Sequence, residues 1–554
     1  MIRKLAVFAA LLLAMPVIAE TRQRFTIVTN PDAPRPASLR RITSDAEKAA
    51  RRMRTFKHVS GYAADLTPSE AEELRKSAGV VSVEPVVERY ASALPSRKIS
   101  ADYESYEQQV TPWGLPVVRI QGVWPVTRGE GINVAVLDTG IDWTHPDLQA
   151  AYEGGVNILD ETKPPADDNF HGTHVAGIIA ATDNEFGVVG GAPGVKLWNV
   201  KVLDREGKGY DEYTAAGIDW VVEQKRQLGG LWVINMSLGS ASLGGKLEGL
   251  AVQRAYNEGI VLVASAGNRS QDWLDYPAAY PGVIAVGAVG EDGEKAEFSS
   301  YGGGMQIVAP GVLVQSTMIE GMEVVSEVSV GSTISEARGL IGSPYGKLTG
   351  KLIPSGRGEV GQFPATVAGN IALIQRGGEL SFREKARNAK NAGASAVVIW
   401  NNDPSETRPS LWTLTPRGCG AGENNCEPEW KDYVFPLTVG ITNAEGLRLS
   451  ALANQTTTVT HLNLRYGRLS GTSMAAPHVA STAALLLALD PTLNPAEIMF
   501  VLRHTAKDTS KPGWDHQTGW GIVDALEAAK FVAPHRFNLS PPPYTSPRRR
   551  ATRK

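Results

Sequence analysis

Four residues in this sequence have the types and settings needed to cleave an acyl bond. Asp138 closes the apolar run in VAVLDTGID, His171 opens HGTHVAGIIA, Asn268 ends VASAGN, and Ser473 lies in GTSMAAPHVAS. A serine hydroxyl is a weak nucleophile until a base takes its proton. An imidazole can do that when a carboxylate fixes its tautomer and stabilises the imidazolium. A side-chain amide aimed at a developing oxyanion contributes about 2.7–4 kcal/mol when measured by deletion. Each residue alone has an ordinary explanation: a strand-end cap, a histidine beside glycine, a turn asparagine, a helix N-cap. The chemistry rests on the set.

The surrounding pattern supplies elements able to hold that set. From about 110 to 310 short apolar runs alternate with helical ones. INVAVLD (132–138), LWNVKVL (197–203), WVINMSL (232–238), IVLVASAGN (260–268) and VIAVGAV (283–289) read as strands. HVAGIIAAT (174–182), DEYTAAGIDWVVEQKRQ (211–227) and LEGLAVQRAYNEG (247–259) read as helices. This alternation predicts an α/β fold with a parallel sheet covered by helices on both faces. Ligands of such sheets sit beyond the carboxyl ends of the strands, where Asp138 is placed. Ser473 is placed at the first turn of a long apolar helix, 472–489, whose dipole favours developing negative charge.

Flanking segments have other characters. Residues 24–90 read as a small α/β unit, with a helix over 44–56 starting at Ser44 and a capping box at Thr67-Pro68-Ser69-Glu70. Residues 315–460 are richer in Gly, Pro, Thr and Ser and carry strands at 370–377 and 396–402, a helix at 382–392 and both cysteines. Residues 536–554 are Pro-rich, end in RRRATRK, and predict a disordered basic tail.

Composition narrows the function further. The 554 residues suit two to four domains. Lys plus Arg (55) and Asp plus Glu (58) nearly cancel, which argues against nucleic acid as a partner. Residues 1–19 pair Arg3 and Lys4 with an apolar run over 5–15 and small residues at 17–19, the pattern of a secretory signal peptide. The run is too short to span a bilayer, so a secreted protein without a membrane anchor is expected, periplasmic if made by a two-membrane bacterium. Cys419 and Cys426 then meet oxidising conditions, and a bridge between them is expected to staple a local loop. Two cysteines exclude a four-cysteine zinc site. His174, three residues after His171, lacks a third ligand at zinc spacing and reads as packing.

The chain resembles the subtilisin-like serine proteases. VAVLDTGID, HGTHVAGIIA and GTSMAAPHVAS match that family's three signature motifs in the order Asp, His, Ser, and SAGN matches its oxyanion segment. The resemblance implies that Asp138 orients, His171 is general base and acid, Ser473 is nucleophile and Asn268 is oxyanion donor. It assigns Ser237-Leu238-Gly239 to pairing with extended substrate, and Ser265-Ala266-Gly267 to a wall of the primary specificity pocket. It also implies a structural calcium ion, held by side chains of Gln109, Asp147 and Asn184 and carbonyls of Thr182, Phe186 and Val188.

Residues 20–107 resemble the family's propeptide, which implies a ferredoxin-like chaperone that becomes an intramolecular inhibitor. Its release is expected between about Leu94 and Gln109. Residues 315–460 resemble a protease-associated (PA) domain, mainly β, inserted in a catalytic domain formed by 108–314 and 461–535. The resulting expectation is a secreted, monomeric serine endopeptidase made as a zymogen and acting on proteins or peptides. The competing reading is a catalytically silent subtilisin-like binding module, which four filled reactive positions oppose.

Overall fold

The computed structural model describes residues 21–538 apart from 34–35, 37–38, 40–44, 93–107, 242–243, 322, 407–408, 410–411, 416–429, 431–432 and 510–511. The expected signal segment, most of the C-terminal tail, Ser44, Cys419 and Cys426 lie outside the described residues.

Seven parallel strands form the central sheet, in the spatial order Ile307–Pro310, Val283–Val289, Val261–Ser265, Leu231–Met236, Ile132–Asp138, Lys196–Lys201 and Tyr152–Asn157. Two short outer members, Tyr152–Asn157 and Ile307–Pro310, were not among the expected strands. Both lie at sheet edges, where half-exposed or brief segments carry little periodic signal. The strand Ile132–Asp138 is buried throughout. Its side chains alternate between two cores. Val134 and Val136 face one with the helices His171–Ala180 and Thr472–Leu489, while Ala135 and Leu137 face the other with Asp211–Leu228 and Lys246–Asn257. Thr472–Leu489 is the one described helix long and apolar enough to cross a membrane, yet 89% of it is buried inside the protein. It is the central core helix.

The N-terminal unit has a four-stranded antiparallel sheet in the order Arg54–Thr55, Gly61–Leu66, Gln23–Thr29, Val80–Pro85. Helices Asp45–Ala50 and Pro68–Arg75 complete a ferredoxin-like arrangement. Thr67 and Glu70 form the expected capping box. The helix expected over 44–56 instead stops at Ala50. Arg52 takes a left-handed backbone conformation, and Arg54–Thr55 pairs with Ala63 and Tyr62. Strand pairing supplied by distant residues outweighs local helix propensity there.

The insert leaves and rejoins through a two-stranded neck, Val314–Thr317 against Tyr466–Leu469. Beyond the neck an eight-stranded sheet includes Ile371–Gln375, Ala396–Trp400 and Leu437–Ile441, flanked by the helices Phe382–Asn391 and Asn443–Ser450. Its mainly β character agrees with the expectation.

The start of the helix His171–Ala180 lies hard against the loop after Ile132–Asp138. A Cβ on Gly172 would lie 2.1 Å from the Gly140 carbonyl oxygen, a backbone atom with no room to retreat. Gly172→Ala should therefore lower the melting temperature by several degrees and displace His171. A thermal melt matching the parent would contradict this contact.

Candidate active site

The carboxylate and the imidazole meet at the carboxyl end of the sheet. Nδ1 of His171 donates to Oδ1 of Asp138 across 2.7 Å. Asp138 and His171 are buried, and Asp138 Oδ1 also accepts from the Thr139 amide at 2.7 Å. The bond to the carboxylate leaves Nε2 as the basic nitrogen, and Nε2 is buried with no hydrogen-bond partner among the described residues. Asp167 fixes the entry to this helix. One of its oxygens accepts from the Phe170 amide (3.1 Å) and the Thr139 hydroxyl (2.8 Å), the other from the Thr173 amide (2.9 Å) and hydroxyl (2.6 Å). Phe170 itself has a positive φ of 98°, a strained backbone that this network holds in place. Motif reading did not single out Asp167, because its partners are assembled only in three dimensions.

Ser473 sits on the first turn of Thr472–Leu489. Pro477, four residues on, has no N–H to give the Ser473 carbonyl. The Ser237 hydroxyl donates to that carbonyl instead, at 2.8 Å. The Ser473 hydroxyl in turn donates to the Ser237 carbonyl at 2.8 Å. The nucleophile candidate is thus locked onto the segment Ser237–Gly239. Asn268 is oriented from behind: its Oδ1 accepts from the Thr472 amide and hydroxyl, both at 2.9 Å. Its Nδ2 must then point forward, where it donates to the Ser92 carbonyl at 2.6 Å.

That carbonyl belongs to the end of the N-terminal unit. Glu88–Ala91 lies as the middle strand of a three-stranded sheet, antiparallel to Lys208–Tyr210 on one side and Leu238–Gly239 on the other. The Ser92 amide continues the ladder to the Ser237 carbonyl at 3.3 Å. Ser237, Leu238 and Gly239 therefore pair with Tyr90–Ser92 of the N-terminal unit. Ser265, Ala266 and Gly267 pack beside them, and Asp275 fills the space between the two segments. A Cβ on Gly239 would meet Asp275 Cβ at 2.9 Å, and one on Gly267 would meet Asp275 Cγ at 2.7 Å. Burial raises the Asp275 carboxyl above its usual range, while Arg269 opposes the rise through two 2.7 Å hydrogen bonds. Asp275 and Arg269 were not foreseen, because LDYP alone gives no sign of facing a cleft.

The expected calcium ligands converge on one loop. Asp147 is fully buried, and its oxygens accept from Asn184 Nδ2 (3.0 Å) and the Val188 amide (2.9 Å). Gln109 Oε1 accepts from the Asn184 amide at 2.7 Å, and Gln109 Nε2 donates to Asp183 at 2.6 Å. The Glu185 and Gly187 carbonyls accept from Gln109 and Val110. Among the described residues, the carbonyls of Thr182, Phe186 and Val188 accept no backbone hydrogen bond outside regular elements. A buried carboxylate, two amide side chains and three free carbonyls are an oxygen-rich donor set that fits a hard cation. His174 packs in the core with Nε2 3.2 Å from the Gly467 carbonyl, and burial lowers its pKa to about 3.

The Subtilase family profile matches residues 129–346 and 405–521. The chain belongs to the subtilase family. It is accordingly a serine endopeptidase, with a Peptidase inhibitor I9 unit matched at 20–91 and a PA domain at 348–449. This subtilase is 39% identical over 319 residues to the thermostable alkaline protease of Halalkalibacterium halodurans, covering 56% of this chain and 79% of that protein. It is 44% identical over 212 residues to subtilisin BL of Lederbergia lenta, covering 38% and 75%. Among solved structures, fervidolysin of Fervidobacterium pennivorans, a keratinolytic enzyme related to subtilisin, shares the fold. Its TM-score is 0.56 at 23% identity, covering 92% of this chain and 61% of that one.

Proposed function

We propose that this subtilase is a secreted zymogen whose Ser473, His171 and Asp138 form a catalytic triad with Asn268 as oxyanion donor. The observation that carries the reading is the Ser92 carbonyl, held by Asn268 Nδ2 at 2.6 Å while its strand is clamped on both sides. A chain so placed is in the position of a substrate. Ser473 Oγ adds to the carbonyl carbon as His171 Nε2 takes the hydroxyl proton. The carbonyl oxygen gains negative charge against Asn268 and the Ser473 amide. Collapse breaks the C–N bond, and His171 delivers its proton to the leaving amine. Water then repeats the sequence to release the acid. Ser473 must first turn away from the Ser237 carbonyl, a rotation about one side-chain bond.

On this reading Ser92–Ala93 is the maturation bond, slightly ahead of the window expected between Leu94 and Gln109. The I9 unit then remains seated as an inhibitor until it is removed. Signal-directed export is supported by the pattern of residues 1–19. We also propose that Gln109, Asp147 and Asn184, with the carbonyls of Thr182, Phe186 and Val188, hold calcium. A bound ion would offset the buried Asp147 charge and tie residue 109 to the core.

Ser473→Ala and His171→Ala should each abolish peptidase activity and leave an unprocessed chain, since base and nucleophile act as a unit. Normal processing by Ser473→Ala would remove the mechanism and favour a silent binding module.

Asn268→Ala should retain the fold and lower kcat by about 100- to 1,000-fold. N-terminal sequencing of the wild-type mature enzyme should begin at Ala93, and a start elsewhere would move the maturation bond.

Removing calcium should lower the melting temperature and hasten autolysis. Binding adds about 2.7 kcal/mol where free ligand is 100 times Kd. Asp147→Ala should be less stable and insensitive to chelator. A parent protein whose melt ignores both added calcium and prolonged chelation would show that the loop needs no ion.

A further inference from the structure

The strand that fills the cleft carries one side chain with no counterpart elsewhere in the site. Arg89 is fully buried, although it belongs to the segment that must leave when the enzyme matures. Counting back from Ser92, it is the fourth residue before the proposed scissile bond. Its Nε donates to Glu248 Oε1 at 3.1 Å and its Nη2 to Glu248 Oε2 at 2.6 Å, a bidentate pair. Nη1 donates to the Ser240 hydroxyl at 3.0 Å and to the Glu88 carbonyl at 3.1 Å. Glu248 has no exposed side-chain surface and stands on the first turn of Lys246–Asn257. The Tyr280 hydroxyl supports it, 2.9 Å from Oε2.

A second carboxylate faces the same space. Asp211, also fully buried, begins the helix Asp211–Leu228. Its Oδ1 accepts from the Val87 and Glu212 amides, both at 2.9 Å. Its Oδ2 is buried without a hydrogen-bond partner among the described residues. Burial, reinforced by the charge of Glu248, pushes the Asp211 carboxyl up to about 7, and Arg89 pulls the other way. Gly245 leaves room for this oxygen, since a Cβ there would lie 2.0 Å from it.

Asp211, Ser240, Glu248 and Tyr280 all belong to the catalytic domain. The propeptide contributes the Arg89 side chain, the one cation in the cluster among the described residues, together with the backbone groups of Val87 and Glu88. When the tail departs, the pocket keeps two carboxylates facing the space that Arg89 filled, and a cation seated there again pairs with them. A hydroxyl and a bidentate carboxylate suit the flat, five-donor guanidinium rather than a lysine ammonium. Backbone pairing with Leu238–Gly239 and Lys208–Tyr210 would present the fourth residue of any extended substrate at the same register as Arg89.

We propose that Asp211, Ser240, Glu248 and Tyr280 form a substrate subsite that selects arginine at the fourth position before the cleaved bond. The proposal rests on the catalytic reading of Ser473 and Asn268. Arg89 is then both the autoprocessing determinant and a competitor that substrates must replace. The pocket makes this enzyme a processor of arginine-marked sequences rather than a general digestive protease.

The test uses mature wild-type enzyme and internally quenched peptides that differ only at the fourth position: arginine, its neutral isostere citrulline, lysine, leucine and glutamate. The arginine peptide should exceed the citrulline and leucine peptides in kcat/KM by roughly 100-fold or more, because each leaves a buried carboxylate unpaired. Lysine should fall between. In Glu248→Gln the arginine-to-leucine ratio should collapse by at least ~10-fold, whatever its total activity. Equal cleavage of the arginine and leucine peptides by wild-type enzyme would overturn the subsite, and so would an unchanged ratio in Glu248→Gln. Failure of every peptide, together with no labelling of Ser473 by a serine-directed phosphonate, would instead overturn the catalytic reading.

Discussion

A carboxylate withdrawn from water at the end of a buried strand is the feature around which the catalytic domain is organised. Asp138 has no exposed surface, and an ionised group in that position is costly unless other groups meet it. The His171 imidazole and the Thr139 amide meet one oxygen. For the ring to arrive there, the helix His171–Ala180 must begin at one place and one angle. Asp167 imposes the angle through five hydrogen bonds to the loop and the first turn, and Gly172 permits the close approach to Gly140. The parallel sheet supplies the rest. Its central strand buries both faces, so Asp138 cannot shift without disturbing two cores at once.

Recognition rests on backbone geometry before it rests on side chains. The propeptide tail adds a strand between two catalytic-domain strands, so its carbonyls and amides are placed by a ladder that any extended peptide can form. This explains how one segment can resemble a substrate and block the cleft. Two side-chain clusters flank the ladder. Asp275 with Arg269 lies between Gly239 and Gly267, and Glu248 with Asp211 surrounds Arg89. Both pockets hold buried acids, which reward matching cations and penalise unmatched groups.

The insert is joined where it can feel the site. Its neck strand Tyr466–Leu469 runs directly into the helix Thr472–Leu489, and its other end packs on the proposed calcium loop. Tyr466 clusters with Ala181 and Val188 and lies edge-on to His145 at 5.1 Å. His145 Nε2 meets the Arg465 carbonyl at 2.9 Å. The loop and the neck are therefore packed together next to the start of Thr472–Leu489.

The placement of Asp138, His171 and Ser473 and the α/β plan were legible in the sequence because their signals are local. Asp138 ends an unbroken apolar run, His171 and Ser473 sit at helix starts, and VIAVGAV and INVAVLD are strands at the predicted bounds. The capping box at Thr67 and Glu70 is likewise a short-range contact. Other features depend on residues far apart in the chain. The helix at 45 gives way to a strand because Arg54–Thr55 finds Ala63 and Tyr62. Asp167, Asp275 and Asp211 look like ordinary loop or cap acids in one dimension. Glu248 looks like a surface glutamate in a helical first turn. Only folding brings Glu248 159 positions back along the chain to Arg89, and Asn268 176 positions back to Ser92. Periodicity reports which side of an element is buried, but not which charge another element will bury against it. The family was thus written in local motifs, while packing decided which charges meet across the chain.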